Sequence, residues 1–263
     1  MKQYILLSLN TLTLLGALIM NWLSGTGALG DASVGEISAQ YETLFTPAGY
    51  AFAIWGLIYL LLVSFVSFQW LQWTRQKRDR NLRKTGIWFA VGNIANGWWI
   101  YAWLNEYMAL SLILILVLLV TLIILVFRLR LEIWDAPLGT IAFVWWPICI
   151  YIGWIVVATV ANFAIFLKSE GWQGGFLSET AWSVILIAAA TAIYSLLIYY
   201  RNMREAALVG IWALIAIAVK QQEHPAILYA SVIASALLLI YVSVHGYKNR
   251  QTSPFKKIQR REF

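Results

Sequence analysis

YETLFTPAGYAFAIWGLIY, residues 41–59, decides the fold. The stretch begins polar, turns on Thr46-Pro47, and then runs without charge through Phe52, Trp55 and Tyr59. Proline presets φ and has no N–H, so Pro47 suits the first turn of a helix. Positions 52, 55 and 59 are spaced i, i+3, i+7, so one helical face carries all three rings. This reads as an aromatic wall entering a membrane behind a sharp turn. The same residues would also serve as plain helix packing with an interfacial aromatic belt.

Composition carries that reading to the whole chain. The 263 residues are 61% hydrophobic and 12% charged, where a soluble domain carries about 25% charged residues. Uncharged apolar runs recur along the full length, so the expected fold is an all-α integral membrane bundle. Fifteen Trp add aromatic content well above ordinary usage. Cys149 is the single cysteine and forms no intrachain disulfide. His224 and His245 lie far apart, without metal-ligand spacing.

A hydrocarbon span needs about 20 helical residues. Eight spans are predicted, at 4–24, 48–70, 86–105, 108–129, 138–167, 180–200, 204–221 and 225–247. The third and fourth meet in a tight hairpin at Asn105-Glu106. The seventh has a charge-free core of only 14 residues, Ala206 to Val219, and Arg204, Glu205 and Lys220 would snorkel to extend it. With a cytoplasmic N-terminus, 17 of the 19 Lys and Arg fall on the inner side: Lys2, the basic run 75–84, Arg128, Arg130, Arg201, Arg204 and the tail 248–263. Only Lys168 and Lys220 remain outside, with seven of the acids. This positive-inside split predicts both termini cytoplasmic, with a bacterial inner (plasma) membrane as the expected location. The net charge of +7 then reflects topology and anionic lipid rather than nucleic acid.

Segment 25–46 reads as a Gly-rich outer loop in which no helix or strand pattern dominates. A loop this long is either a lid or a plain linker. The two matches to the loose sterol pattern, Leu197-Tyr199-Arg201 and Val244-Tyr247-Arg250, sit at inner helix ends where Tyr and Arg are normal anchors.

Three motifs in order resemble the TspO/MBR family of tryptophan-rich sensory and translocator proteins. The first comprises Tyr41, Leu44, Pro47, Phe52, Trp55 and Tyr59, with the family's double proline reduced to Pro47-Ala48. The second is Asn96 to Trp99 in NGWW, followed by Tyr101 and Trp103. The third is Trp154, Ala158 and Asn162 at i, i+4, i+8, with Pro147 seven residues before Trp154 where the family has a proline four before it. The resemblance covers residues 1–167 as a five-helix membrane unit. It leaves 168–247 as three additional helices and 248–263 as a basic cytoplasmic tail.

The resemblance implies a receptor, sensor or carrier for hydrophobic small molecules. These would be tetrapyrroles such as haem or protoporphyrin, or sterol-like lipids. It also implies a homodimer as an assembly. The implied ligand contacts are Pro47, Phe52, Trp55, Tyr59, Asn96, Trp99, Trp154, Ala158 and Asn162. At about 1.5 Å of rise per residue these converge in the outer half of the bundle, with Trp154 deepest. The two Asn could equally bond each other or a backbone carbonyl, and Ala158 could equally serve close helix packing. No cofactor is required; haem or porphyrin would enter as ligand. The alternatives are a permease-like transport subunit and a porphyrin-degrading enzyme. No span carries a mid-membrane charge of the kind ion-coupled transporters use, no Walker A sequence is present, and no acid–base pair is evident.

Overall fold

A computed structural model describes residues 3–75, 80–172, 174–252 and 254–260. Of the basic residues used to assign sidedness, Lys2, Lys77, Arg78 and Arg261 lie outside the described residues. The described residues are helices and connecting turns. Eight helices carry the architecture: α1 Gln3–Gly25, α2 Ile54–Thr74, α3 Trp88–Leu104, α4 Met108–Leu129, α5 Trp146–Ser169, α6 Glu179–Arg201, α7 Arg204–Lys220 and α8 Pro225–Lys248.

Six helical runs are long and apolar enough to cross a membrane; α3 and α7, at 17 residues each, fall short of that length. Their position explains the shortfall. In α3, 12 of 17 residues are buried, and in α7, 10 of 17, against 5 of 23 in α6. A helix shielded by protein does not need to match the hydrocarbon thickness along its own length. The hydrophobic residues that stay exposed, such as Leu60, Phe127 and Leu239, form the outward faces expected of a protein solvated by lipid.

Helices α1, α2, α5, α4 and α3 close into a ring in that order, each touching the next. Helix α7 packs on the outside of α5, flanked by α6 and α8. One apolar core runs from Leu14 in α1 to Leu238 in α8, so the two helix groups share one interior. Their seam is tight. A Cβ on Gly153 of α5 would sit 2.8 Å from the backbone of Ala206 in α7. The Tyr194 ring of α6 lies across Gly210 of α7, and its hydroxyl donates to the Gly153 carbonyl at 2.7 Å. Small residues let backbones approach closely in lipid, where packing rather than hydrophobicity drives helix association.

Three local expectations change. The loop 25–46 contains a helix, Val34–Gln40, closed by a capping box: the Ser33 hydroxyl accepts from the Glu36 N–H and the Glu36 carboxylate accepts from the Ser33 N–H. Pro47 precedes the helix instead of opening it. Ala48 caps a 3-10 turn, Gly49–Ala53, which leads into α2. Third, the helical run preceding α5 widens to π geometry over Ile141–Trp145, directly before Pro147. A proline removes one helical N–H and crowds the preceding turn, and a π-bulge absorbs both.

The loops assigned to one side of the membrane do gather at one end of the bundle. There Lys220 pairs with Glu42 at 3.2 Å and the Tyr41 hydroxyl donates to Glu106 at 2.5 Å. At the opposite end Lys257 pairs with Asp135 at 2.5 Å, and Asn202 donates to the Glu132 carbonyl at 2.6 Å.

Candidate ligand site: a closed aromatic cavity

The ring-bearing face of α2 points into the five-helix ring. Trp55 is its hub. It stacks on Tyr59 at 5.5 Å and on Trp99 of α3 at 5.9 Å, and meets Trp154 of α5 edge-on at 6.5 Å. Trp99 stacks in turn on Trp103 at 5.6 Å, and Phe52 meets Trp154 edge-on at 5.8 Å. Offset-stacked and edge-to-face pairs at these separations are each worth about 0.5–1.5 kcal/mol beyond burial. The cluster therefore holds its own shape.

Of the nine residues expected in the site, the structure brings Pro47, Phe52, Trp55, Trp99, Trp154, Ala158 and Asn162 around one cavity. Ser38 of the Val34–Gln40 helix also faces it, as do Trp103, Val157, Ala161 and Ile165. Tyr59 and Asn96 are not on its wall. The α2 helix pitch places Tyr59 a turn beyond Trp55, where its hydroxyl donates to Asn96 Oδ1 at 3.0 Å. The two Asn do not bond each other. Asn162 Oδ1 accepts from the Trp99 indole at 2.9 Å, and Asn162 Nδ2 donates to the Ser111 hydroxyl at 3.0 Å. That chain ties α3, α5 and α4 together and fixes the plane of Trp99. Ala158 serves as wall, where a larger side chain would fill the space.

Two properties define what this cavity can do. It encloses only about 20 Å³, enough for a water molecule and far below the roughly 300–1,000 Å³ of ligand pockets. The second is Trp154, which is 1% exposed yet its indole N–H has no partner among the described residues. Buried donors are ordinarily paired, so this one leaves a hydrogen bond unmade in a residue of the cavity wall.

The cover over the cavity was not legible as such. It consists of the Val34–Gln40 helix and the strap 41–48. The strap is tied on one flank to the α3–α4 hairpin through Tyr41 and Glu106. On the other it is tied to the C-terminal helices. Gln221 donates to the Thr43 carbonyl at 3.2 Å, Glu179 accepts from the Leu44 N–H at 3.3 Å, and Lys168 donates to the Glu42 carbonyl. The Trp212 indole donates to the Ala51 carbonyl at 3.2 Å. Helices α6 and α7 thus contribute no wall to the cavity but hold its cover.

An apolar helical bundle built round a buried aromatic cluster defines a multi-pass integral membrane protein. The model of the TSPO-like protein family matches residues 6–244, and the chain belongs to that family. The match runs beyond residue 167, so α6, α7 and most of α8 lie within it. No curated protein and no solved structure matches the chain significantly.

Proposed function

We propose that the chain is a membrane sensor or carrier that takes a flat hydrophobic small molecule, a tetrapyrrole such as haem or protoporphyrin, into the aromatic cavity. Sterol-like lipids are the second ligand class. All eight helices cross the membrane in this reading, with both termini cytoplasmic and the cavity in the outer half of a bacterial inner membrane. The 17-to-2 division of basic residues and the segregation of loops to opposite ends support it.

The observation that carries the proposal is Trp154. Its unpaired buried N–H sits among stacked rings, beside the small Ala158, in a family of TSPO-like proteins. A tetrapyrrole supplies a planar face for Trp55 and Trp99 and carboxylate or ring-nitrogen edges for a lone donor. The cavity is far smaller than a tetrapyrrole, so entry requires the cover to lift and the rings of Trp55, Trp99 and Trp154 to move apart. Sensing would then be the coupling of ligand occupancy to the position of a strap that α6 and α7 hold.

The test is protoporphyrin titration read by tryptophan quenching in the full-length protein. Trp154→Phe keeps a ring and removes the donor. A lost hydrogen bond to a charged edge, about 1.5–3 kcal/mol, predicts a roughly 10- to 100-fold weaker Kd with folding retained. Parent-like affinity in Trp154→Phe would remove the cavity from consideration.

A further inference from the structure

Outside the aromatic cavity, a groove lies between α5 and α6 at the end of the bundle that carries the cover. It encloses about 430 Å³, within the range of ligand pockets. Phe45 and Phe163 line its apolar body. Trp172 and Trp182 form one wall, their rings 5.4 Å apart, and the Trp182 indole donates to the Gly174 carbonyl at 2.8 Å. Gly174 holds φ +89°, and a Cβ there would lie 2.6 Å from the Leu177 carbonyl, so only glycine fits that turn.

Charge sits only at the mouth. Lys168 lies in the last turn of α5 and Glu179 in the first turn of α6. Both are exposed, and the ion pairs among the described residues, Lys220–Glu42 and Lys257–Asp135, use neither. From Lys168 back to Phe163 the groove runs about 8 Å along the helix axis. It therefore descends from helix ends, where headgroups lie, into the depth of the first methylenes. Phe163 and Trp172 remain exposed on its flank, leaving it open sideways. Tryptophans at helix ends are the usual residues of that boundary.

We propose that this groove holds one phospholipid of the adjoining leaflet whose headgroup is a primary-amine zwitterion. Lys168 takes the phosphate and Glu179 takes the ammonium, while the upper part of one acyl chain lies against Phe163 and Leu186. The cation, the carboxylate and the apolar body match such a lipid in sign. Each charged residue has capacity left after its bond to the cover: Lys168 keeps two N–H donors, and Glu179 keeps an oxygen. A trimethylated ammonium cannot donate to Glu179, and a phosphoglycerol headgroup offers it no cation. The groove borders the cover of the aromatic cavity: Thr43 and Phe45 of the strap line it, and Lys168 and Glu179 also tie the strap.

The experiment is native mass spectrometry of the full-length protein in mild detergent with an equimolar mixture of phosphoethanolamine, phosphocholine and phosphoglycerol lipids of identical chains. The expected result is one retained phosphoethanolamine lipid, favoured about threefold or more over each competitor, as a charge pair near the surface allows. Glu179→Gln, which preserves an acceptor for the Leu44 N–H, should erase the preference over phosphocholine. Lys168→Gln should lower retention of all three lipids. Ala164→Trp, which fills the groove, should abolish the adduct. Should Ala164→Trp not fold, the two Gln variants decide the matter alone. Equal retention of the three lipids, preference for phosphoglycerol, or a phosphoethanolamine preference untouched by Glu179→Gln would each overturn the proposal.

Discussion

The backbone N–H of Ala48 donates to the carbonyl of Ala216 at 3.0 Å. This one bond joins the strap over the aromatic cavity to the interior of α7, 168 residues later in the chain. The helices added after the five-helix ring therefore act on the cavity through its cover.

The strap should loosen when its side-chain ties are cut. Gln221→Leu leaves the Thr43 carbonyl with only its bond from the Thr46 N–H, and Trp212→Phe leaves the Ala51 carbonyl with only its bond from the Ile54 N–H. Each lost bond is expected to cost about 0.5–1.5 kcal/mol locally. Hydrogen exchange should accelerate in residues 41–53 of both variants, with the α3–α4 hairpin unchanged. Unaltered exchange in 41–53 would show that the cover is held by something else.

The seam between the two helix groups should tolerate almost no added volume. In Gly153→Ala the new methyl meets the Ala206 backbone at 2.8 Å, and backbone cannot step aside. In Gly210→Ala it meets the Tyr194 ring at 2.4 Å, and the ring can tilt only by giving up its bond to Gly153. Overpacking of this kind costs about 1–3 kcal/mol. Both variants should melt at lower temperature in detergent. Combining Gly210→Ala with Tyr194→Leu should recover part of the loss, and no recovery would mean the ring is not the obstacle.

How much of this the sequence shows depends on the range of each interaction. Helix positions followed from uncharged runs, and the Asn105-Glu106 hairpin from a break two residues wide. The i, i+3, i+7 aromatic spacing placed Phe52 and Trp55 on the cavity, because helical periodicity is a local property. The same spacing carried Tyr59 too far, since the cavity ends a turn earlier and Tyr59 binds Asn96 instead. The Val34–Gln40 helix was missed, although Ser33-Val34-Gly35-Glu36 is a capping-box sequence, because the glycines around it break the helical pattern. The Ala48–Ala216 bond was not, because backbone groups leave no mark in residue type. The α5–α6 groove was not either, since Phe45, Phe163, Trp172 and Trp182 share no spacing and meet only through the fold.

Stability should fall with rising pH through one carboxyl. Glu132 lies in the loop after α4, beside a small polar space shared with Arg204 and Glu205. Burial and then the Glu205 charge raise its pKa to about 8 from an ordinary 4.5, against the opposing pull of Arg204. The folded protein therefore holds a proton that the unfolded chain releases between those values. A raised acid pKa contributes a penalty absent below pH 4.5 that grows as pH climbs towards 8. Glu132→Gln should remove that dependence, giving a melting temperature above the parent's at pH 8 and close to it at pH 5. A parent and variant that differ equally at both pH values would exclude Glu132 as the titrating group.

The central claim is that the aromatic cavity is where the ligand sits, under a cover that moves. A structure of the full-length protein with protoporphyrin bound tests it most directly. The account predicts tetrapyrrole density between Trp55, Trp99 and Trp154, an acceptor of the ligand within hydrogen-bond reach of Trp154 Nε1, and the Val34–Gln40 helix displaced from Trp103. Density lodged in the α5–α6 groove, or on the lipid-facing surface with the cavity still closed, would contradict it.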